Sequence, residues 1–177
     1  MNELVELIKK NAQLVIDRFG RLSDVNFGLN RESVAWVEGF IERQRARPGF
    51  DSIGVKNLVN SLGSFLGECI IANAGGSWRW SDEHQTWSVA FSDDGHAFPF
   101  VKVSKLFANG LEGGESILSF YDVTVGHLSK VKLNRSDAVL LRAERLDEIP
   151  TPTEADSNLL DRHSAPTLIL ALPQRRD

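Results

Sequence analysis

Two adjacent residues of this sequence, an acid and a thiol, are candidates for a catalytic role. The acid Glu68 and the single cysteine, Cys69, stand side by side in the segment SFLGECIIANAGGSWRW at 64–80. A carboxylate in a cleft could work as a general base, and a thiol beside a base could work as a nucleophile. Cys69 falls within an apolar helical stripe, where free cysteine commonly packs as a small core residue. No catalytic residue is therefore predicted.

Glu68 has two interpretations. It could face a pocket and act there on a small ligand, or it could share a polar, solvated helix face with Ser61 and Ser64. A single carboxylate without a visible partner favours the solvated face. Glu68 is the candidate pocket residue of an alternative function, a small-ligand binder or a hydrolase.

The histidines do not have the spacing of a metal site. His84 and His96 lie among turn acids, but a six-residue strand at 86–91 is predicted between them. Such a strand is about 20 Å long at ~3.3 Å per residue, so the two imidazoles should not reach one ion. The sequence also has no HxH, HExxH, P-loop, GxGxxG, GxSxG or CxxC motif. No metal and no cofactor is predicted.

The charge balance indicates the class of partner. The 177 residues carry a formal net charge of −4, with 42% hydrophobic and 25% charged residues, which is ordinary for a globular domain. An acidic balance argues against a general nucleic-acid binder and suits a basic protein partner. The candidate binding residues are the acids of the predicted loops: Asp82, Glu83, Asp93, Asp94, Glu112 and Glu115. Solvated turns explain the same residues without a partner.

Two tryptophans flank an arginine at 78–80. Trp78, Arg79 and Trp80 could stack bases or a sugar if the rings faced solvent. A sheet beside three amphipathic helices needs an apolar face, and this favours core packing for both tryptophans. Arg79 would then point away from the helices. Nucleic acid is accordingly not a predicted partner.

Three amphipathic helices are predicted at the N-terminal side, over 2–19, 30–47 and 54–74. In the first, apolar residues recur at helical spacing on one face: Leu4, Ile8, Ala12, Val15 and Phe19. Asn30 is the expected N-cap of the second helix. In the third, Gly63 and Gly67 lie four residues apart on one flank, although glycine weakens a helix. This indicates that another segment of the chain passes close to the helix there.

A small antiparallel sheet is predicted next. Gly75 and Gly76 can take the positive φ that ends a helix and turns the chain. Alternation predicts three strands with a tight turn at Asp94–Gly95. The residues expected on the apolar face of this meander are Trp78, Trp80, Trp87, Val89, Phe91, His96, Phe98 and Phe100.

Further elements follow Pro99. Short helices are predicted at 101–110 and 116–123, and a buried strand at 167–172 follows a linker-like stretch at 148–165. The whole chain, 1–177, is expected to form a single α+β domain. In it, the N-terminal amphipathic helices pack on the small antiparallel meander, with further helices and strands.

The chain start and the apolar runs bear on location. The start, MNELVELIKK, does not read as a signal peptide, and no segment reaches the ~20 apolar residues that span a bilayer. A single cysteine agrees with a reducing compartment. We expect a cytoplasmic protein without a membrane partner.

The order of several motifs resembles that of a group of uncharacterised small bacterial proteins, a domain of unknown function. The shared motifs are an LGxxLGE helix, a GGxW strand entry, a PFxKVxK segment and an acidic loop before SxxxFY. The likeness covers about residues 58–122. It implies an α+β fold, a bacterial source and no particular catalytic residue. Some proteins of this kind look like immunity or accessory proteins encoded beside toxins.

These observations predict a non-enzymatic protein-binding domain of the immunity or accessory type, with a toxin as the expected class of partner. The alternative is a small-ligand binder or a hydrolase that uses Glu68 in a pocket. A deep pocket around Glu68 would favour the alternative, and a flat acidic face would favour the binding domain.

Overall fold

The computed structural model describes residues 2–51, 55–92 and 94–127, which all lie in one unit ending at Arg135. This part of the chain has the predicted α+β class. The predicted linker, the strand at 167–172 and the extent of the whole domain lie outside the described residues. The elements in chain order are α1 (Asn2–Phe19), α2 (Arg31–Arg45), α3 (Lys56–Ala74), β1 (Ser77–Ser81), β2 (Thr86–Ala90), β3 (His96–Ala97), α4 (Pro99–Asn109), a 3-10 turn (Leu111–Gly113) and α5 (117–127).

The first two helices follow the sequence prediction, with one exception. Of the five apolar residues predicted to face the core from α1, four are buried and Leu4 is 54% exposed. At 100° per residue, Leu4 lies at the edge of the apolar sector, so the core does not cover it. Asn30 caps α2 as predicted, because its side-chain oxygen accepts a 2.9 Å hydrogen bond from the backbone N–H of Ser33.

Helix α3 is central, and its neighbours cover most of its circumference. It contacts α1, α2, α4 and β2, and every residue from 62 to 67 is buried. The predicted solvated face was wrong at Ser64, which is fully buried and donates its hydroxyl to the carbonyl oxygen of Asn60 at 2.7 Å. A helix with neighbours on several sides buries residues at many angles, so one apolar stripe does not describe it.

The sheet has the predicted antiparallel order β1-β2-β3. Trp78 pairs with Val89 and Trp80 pairs with Trp87, so these four side chains share one face. Gly76 has a φ of +97°, a value that residues with side chains rarely adopt. It makes the predicted turn from α3 into β1.

The third strand differs from its prediction. It was expected over 96–100 with His96 facing inward, but it contains only His96 and Ala97. Ala97 pairs with Val89 and is buried, so His96 lies on the other face and is exposed. Pro99 ends the strand because it begins α4, where proline is well accommodated.

Helices α4 and α5 confirm the helices predicted after Pro99. Their side chains in the core are Val103, Leu106, Phe107, Ile117 and Tyr121. Ser116 caps α5 by accepting a 3.0 Å hydrogen bond from the backbone N–H of Ser119. Glu38 of α2 accepts hydrogen bonds from the Ser116 hydroxyl at 2.7 Å and from the Leu118 N–H at 3.0 Å. The start of α5 is therefore fixed to α2.

Candidate functional site

Three of the sequence motifs meet on one side of α3. Gly63 lies against Phe100, and Gly67 lies against Trp78 and Pro99. A Cβ atom on either glycine would overlap these side chains. The close approach predicted from the glycine spacing is confirmed, and bulky side chains fill it. We call these five residues the glycine seam.

Glu68 adjoins the glycine seam and accepts a hydrogen bond from Trp78, a residue of the seam. Its Oε1 accepts a 2.7 Å hydrogen bond from the indole Nε1 of Trp78, which is 8% exposed. A buried indole N–H needs such an acceptor. Glu68 is half-buried rather than on a solvated face, and it lines none of three cavities formed by described residues. The carboxylate thus has a structural task.

Cys69 occupies the core position that its sequence pattern predicts. The side chain is fully buried, and burial raises the pKa of the thiol. Because the thiolate is the nucleophilic form, a buried thiol of raised pKa does not serve as a nucleophile near neutral pH.

The second tryptophan of β1 lies at the surface. Trp80 is 45% exposed, and its Nε1 donates a 2.9 Å hydrogen bond to Oδ1 of Asp82. Its ring meets Trp87 edge-on, with 5.9 Å between the ring centroids. Next to Asp82, the side chain of Glu83 is 86% exposed. We call Trp80, Asp82 and Glu83 the tip surface.

Trp80 was predicted to be covered together with Trp78, and only Trp78 is. Both side chains lie on the same face of β1, as alternation requires. Trp78 packs on α3 at Gly67. Gly63 lies one helical turn before Gly67, and Phe100 of α4 packs against it. The Phe100 ring also contacts Trp78, with 5.6 Å between centroids. Phe100 therefore occupies the part of the α3 surface against which Trp80 could otherwise have packed.

The connection between β1 and β2 orders the tip surface. Gln85 has a φ of +48°, and its side-chain amide donates a 2.7 Å hydrogen bond to the Asp82 carbonyl oxygen. The Ser81 hydroxyl accepts a 3.3 Å hydrogen bond from the backbone N–H of His84 and lies 3.2 Å from its Nδ1. A surface ordered in advance loses little conformational entropy when a partner binds.

Two of the predicted binding acids are paired within the chain. Glu112 accepts hydrogen bonds from the Arg45 guanidinium at 2.8 and 3.3 Å, and Glu115 accepts one from Lys102 at 2.6 Å. These hydrogen bonds lower the pKa of both carboxyls. The pair of Arg45 and Glu112 could not be predicted from the sequence, because its members lie 67 positions apart. The loop after α4 is thereby fastened to α2 and α4.

The predicted acidic set is spread over separate places. Asp82 and Glu83 lie in the β1–β2 turn, whereas Asp94 lies in the β2–β3 turn at the other end of β2. A five-residue strand spans about 16 Å. Glu112 and Glu115 follow α4, and Asp93 lies outside the described residues. The two turns therefore do not contribute to one continuous acidic patch.

The turn histidine His84 and the β3 histidine His96 lie closer together than predicted. The rings of His84 and His96 both lie against Phe98, at centroid distances of 4.5 and 6.2 Å. The predicted separation was too large because both imidazoles lean over this ring. Nδ1 of His96 is also 3.0 Å from the hydroxyl of the buried Ser88. Within the described ranges, no group of three His, Cys, Asp or Glu side chains has an arrangement that could hold a metal ion.

Residues 78–80 do not form a joint stacking platform. Trp78 is buried, and Arg79 and Trp80 are exposed on opposite faces of β1, because successive side chains of a strand alternate. Arg79 thus points away from the helices, as predicted.

Comparisons of the chain with protein families, with curated proteins and with solved structures find no match. In the part of the chain that the structure describes, each helix is too short or too polar to span a bilayer.

Proposed function

We propose that this protein is a non-enzymatic protein-binding domain of the bacterial cytoplasm, of the immunity or accessory type. The tip surface is its contact with a basic partner protein such as a toxin. The observation that carries the proposal is the 45% exposure of Trp80, a large ring that Asp82 and Trp87 hold in place. Tryptophan is enriched among the residues that dominate the binding energy of protein interfaces.

The charge of the tip surface supports a basic partner. The Glu83 side chain is 86% exposed, with its Oε2 4.0 Å from Nδ1 of His84, and the chain as a whole carries a net charge of −4. A lysine or arginine can contact an indole face and a carboxylate at once. Glu112 and Glu115 already balance basic residues of their own chain, so they offer less to a partner. Of the predicted acids, the proposal therefore keeps Asp82 and Glu83, together with the exposed Trp80.

The alternative function would require Glu68 to reach a substrate. Its carboxylate accepts the indole hydrogen bond of Trp78 instead. This contact disfavours a ligand binder or hydrolase that uses Glu68.

Affinity capture from a lysate of the source organism, followed by titration of the purified captured protein, tests the proposal. Trp80→Ala and Glu83→Lys are compared with the wild type and with Leu111→Ala. Leu111 is the matched control because it is 44% exposed and lies outside the tip surface. We expect equal binding by wild type and control, and binding at least ~10-fold weaker by both tip variants.

Two outcomes would contradict different parts of the proposal. Unchanged binding by both tip variants would show that the partner uses another surface. The capture of no specific partner would contradict the protein-binding function itself.

A further inference from the structure

We infer that two copies of this chain associate through α1, with the two helices antiparallel. The starting observation is that α1 leaves several leucines in solvent. Leu4, Leu7 and Leu14 are 54%, 53% and 46% exposed, whereas the large apolar residues of a surface helix normally face the core. A second α1 would cover them. This inference is independent of the proposed function, because α1 and the tip surface share no residue.

The exposed leucines follow the spacing of paired helices. Steps of three and four residues, in alternation, connect Leu4, Leu7, Asn11, Leu14 and Arg18. At 100° per residue this stripe lies beside the buried stripe of α1, so a second helix can contact it while the core stays intact. A single polar residue within such a stripe, here Asn11, can fix the register of the pair.

An open groove continues the stripe at the C-terminal end of α1. Its volume is about 600 Å³. Its apolar lining consists of Leu14, Phe19, Leu22, Phe40 and Leu58, and its charged lining consists of Asp17, Arg18 and Arg21. Leu22 is 73% exposed, so this apolar surface is open to solvent. The groove suits an apolar helix end that carries negative charge.

The start of α1 in a second copy has this chemistry. Exposed Glu3 and Glu6 precede and follow Leu4 in the sequence there, and Glu6 also accepts a 3.2 Å hydrogen bond from Lys9. Two cations, Arg18 and Arg21, and one acid, Asp17, lie at the groove. In an antiparallel pair, Glu3 and Glu6 of each helix meet Arg18 and Arg21 of the other, and twofold symmetry makes both contacts equivalent. A parallel pair would place Arg18 against Arg18 and would leave the grooves unfilled.

Sedimentation of the full chain over a range of concentrations tests the association. We expect a monomer–dimer equilibrium for the wild type and a shift to monomer for Leu7→Glu, which puts a charge into the stripe. Val101→Glu is the control, because Val101 is also exposed, at 38%, on a different helix. Both positions are at the surface, so both variants should fold, and circular dichroism checks this.

Charge exchange tests the antiparallel orientation. The double change Glu3→Arg and Glu6→Arg should raise the dimer Kd at least ~10-fold. Adding Arg18→Glu and Arg21→Glu should return the Kd to within ~3-fold of the wild type. A wild type that stays monomeric up to ~1 mM, a dimer that Leu7→Glu does not weaken, or charge reversal without rescue would each overturn the inference.

Discussion

Trp78 and Trp80 lie two residues apart on β1, and their side chains are on the same face of the sheet. Each donates its indole N–H to a carboxylate, yet Trp78 is 8% exposed and Trp80 is 45% exposed. The acceptor for Trp78 is Glu68, in the neighbouring helix, so that hydrogen bond joins two elements. The acceptor for Trp80 is Asp82, in its own hairpin, so that bond orders a surface. One residue type thus serves folding at the first position and remains available for binding at the second.

Removal of either tryptophan should reveal the largest difference in stability, because Trp78 is buried and Trp80 is exposed. Trp78→Ala should lower the free energy of unfolding by about 3–5 kcal/mol, because it removes a large buried ring from the glycine seam. Trp80→Ala should lower it by less than about 1 kcal/mol. Urea unfolding measures both values. Similar losses in the two variants would contradict the division between them.

Gly67→Ala should have the next largest effect, because the added methyl group would overlap the Trp78 ring. We expect a loss of about 1–3 kcal/mol from crowding, although alanine favours a helix by about 1 kcal/mol over glycine. Gly39→Ala in α2 is the control, since a Cβ there meets only the end of the Arg43 side chain. If both variants were stabilised equally in urea unfolding, the close contact at the glycine seam would be disproved.

The carboxylates that accept the two indole hydrogen bonds should also differ in their contribution to stability. Glu68→Ala leaves the buried indole N–H of Trp78 without its acceptor and should lower the free energy of unfolding by about 1–3 kcal/mol. Asp82→Ala should cost less than about 1 kcal/mol, because water can replace the acceptor at the exposed Trp80. Chemical unfolding of both variants checks this order, and a larger loss for Asp82→Ala would reverse it.

The smallest expected effect concerns pH and the acids that are paired within the chain. Hydrogen bonds from Arg45 and Lys102 hold the pKa of Glu112 and Glu115 below the usual 4.5. A carboxyl whose pKa is lowered by folding stabilises the protein above its unfolded pKa, and that contribution is lost as the pH falls through the folded pKa. Urea midpoints should therefore decline below about pH 4.5.

Arg45→Gln is the control for this pH dependence. It removes the cation that lowers the pKa of Glu112, while Lys102 still acts on Glu115 and Arg31 on Asp122, so its midpoint should decline less steeply with acid than that of the wild type. Parallel declines in the two proteins would show that the pair with Glu112 does not contribute.

The elements that depend on local sequence could be predicted. The bounds of α1, the cap at Asn30 and the order of the sheet follow from periodicity and from turn residues that lie close together in the chain. The facing of β3 could not be predicted, because Pro99 begins α4 and leaves too few strand residues to show an alternation.

The candidate site was only partly predictable. The turn acids Asp82 and Glu83 could be named from the sequence, but the exposure of Trp80 depends on where Phe100 of α4 lies against α3. The role of Glu68 likewise depends on a ring ten positions later in the chain. Contacts between separate elements determine the exposure of Trp80 and the role of Glu68. The periodicity of residues within one element does not predict such contacts.

Solvent reaches the ring of Trp80 and hardly reaches that of Trp78. Iodide quenching of tryptophan fluorescence in Trp80→Phe and Trp78→Phe tests it most directly. Removing Trp80 should lower the quenching slope, because an accessible ring is lost, whereas removing Trp78 should leave the slope unchanged or raise it. A slope that falls as much in Trp78→Phe as in Trp80→Phe would contradict the selective exposure of Trp80.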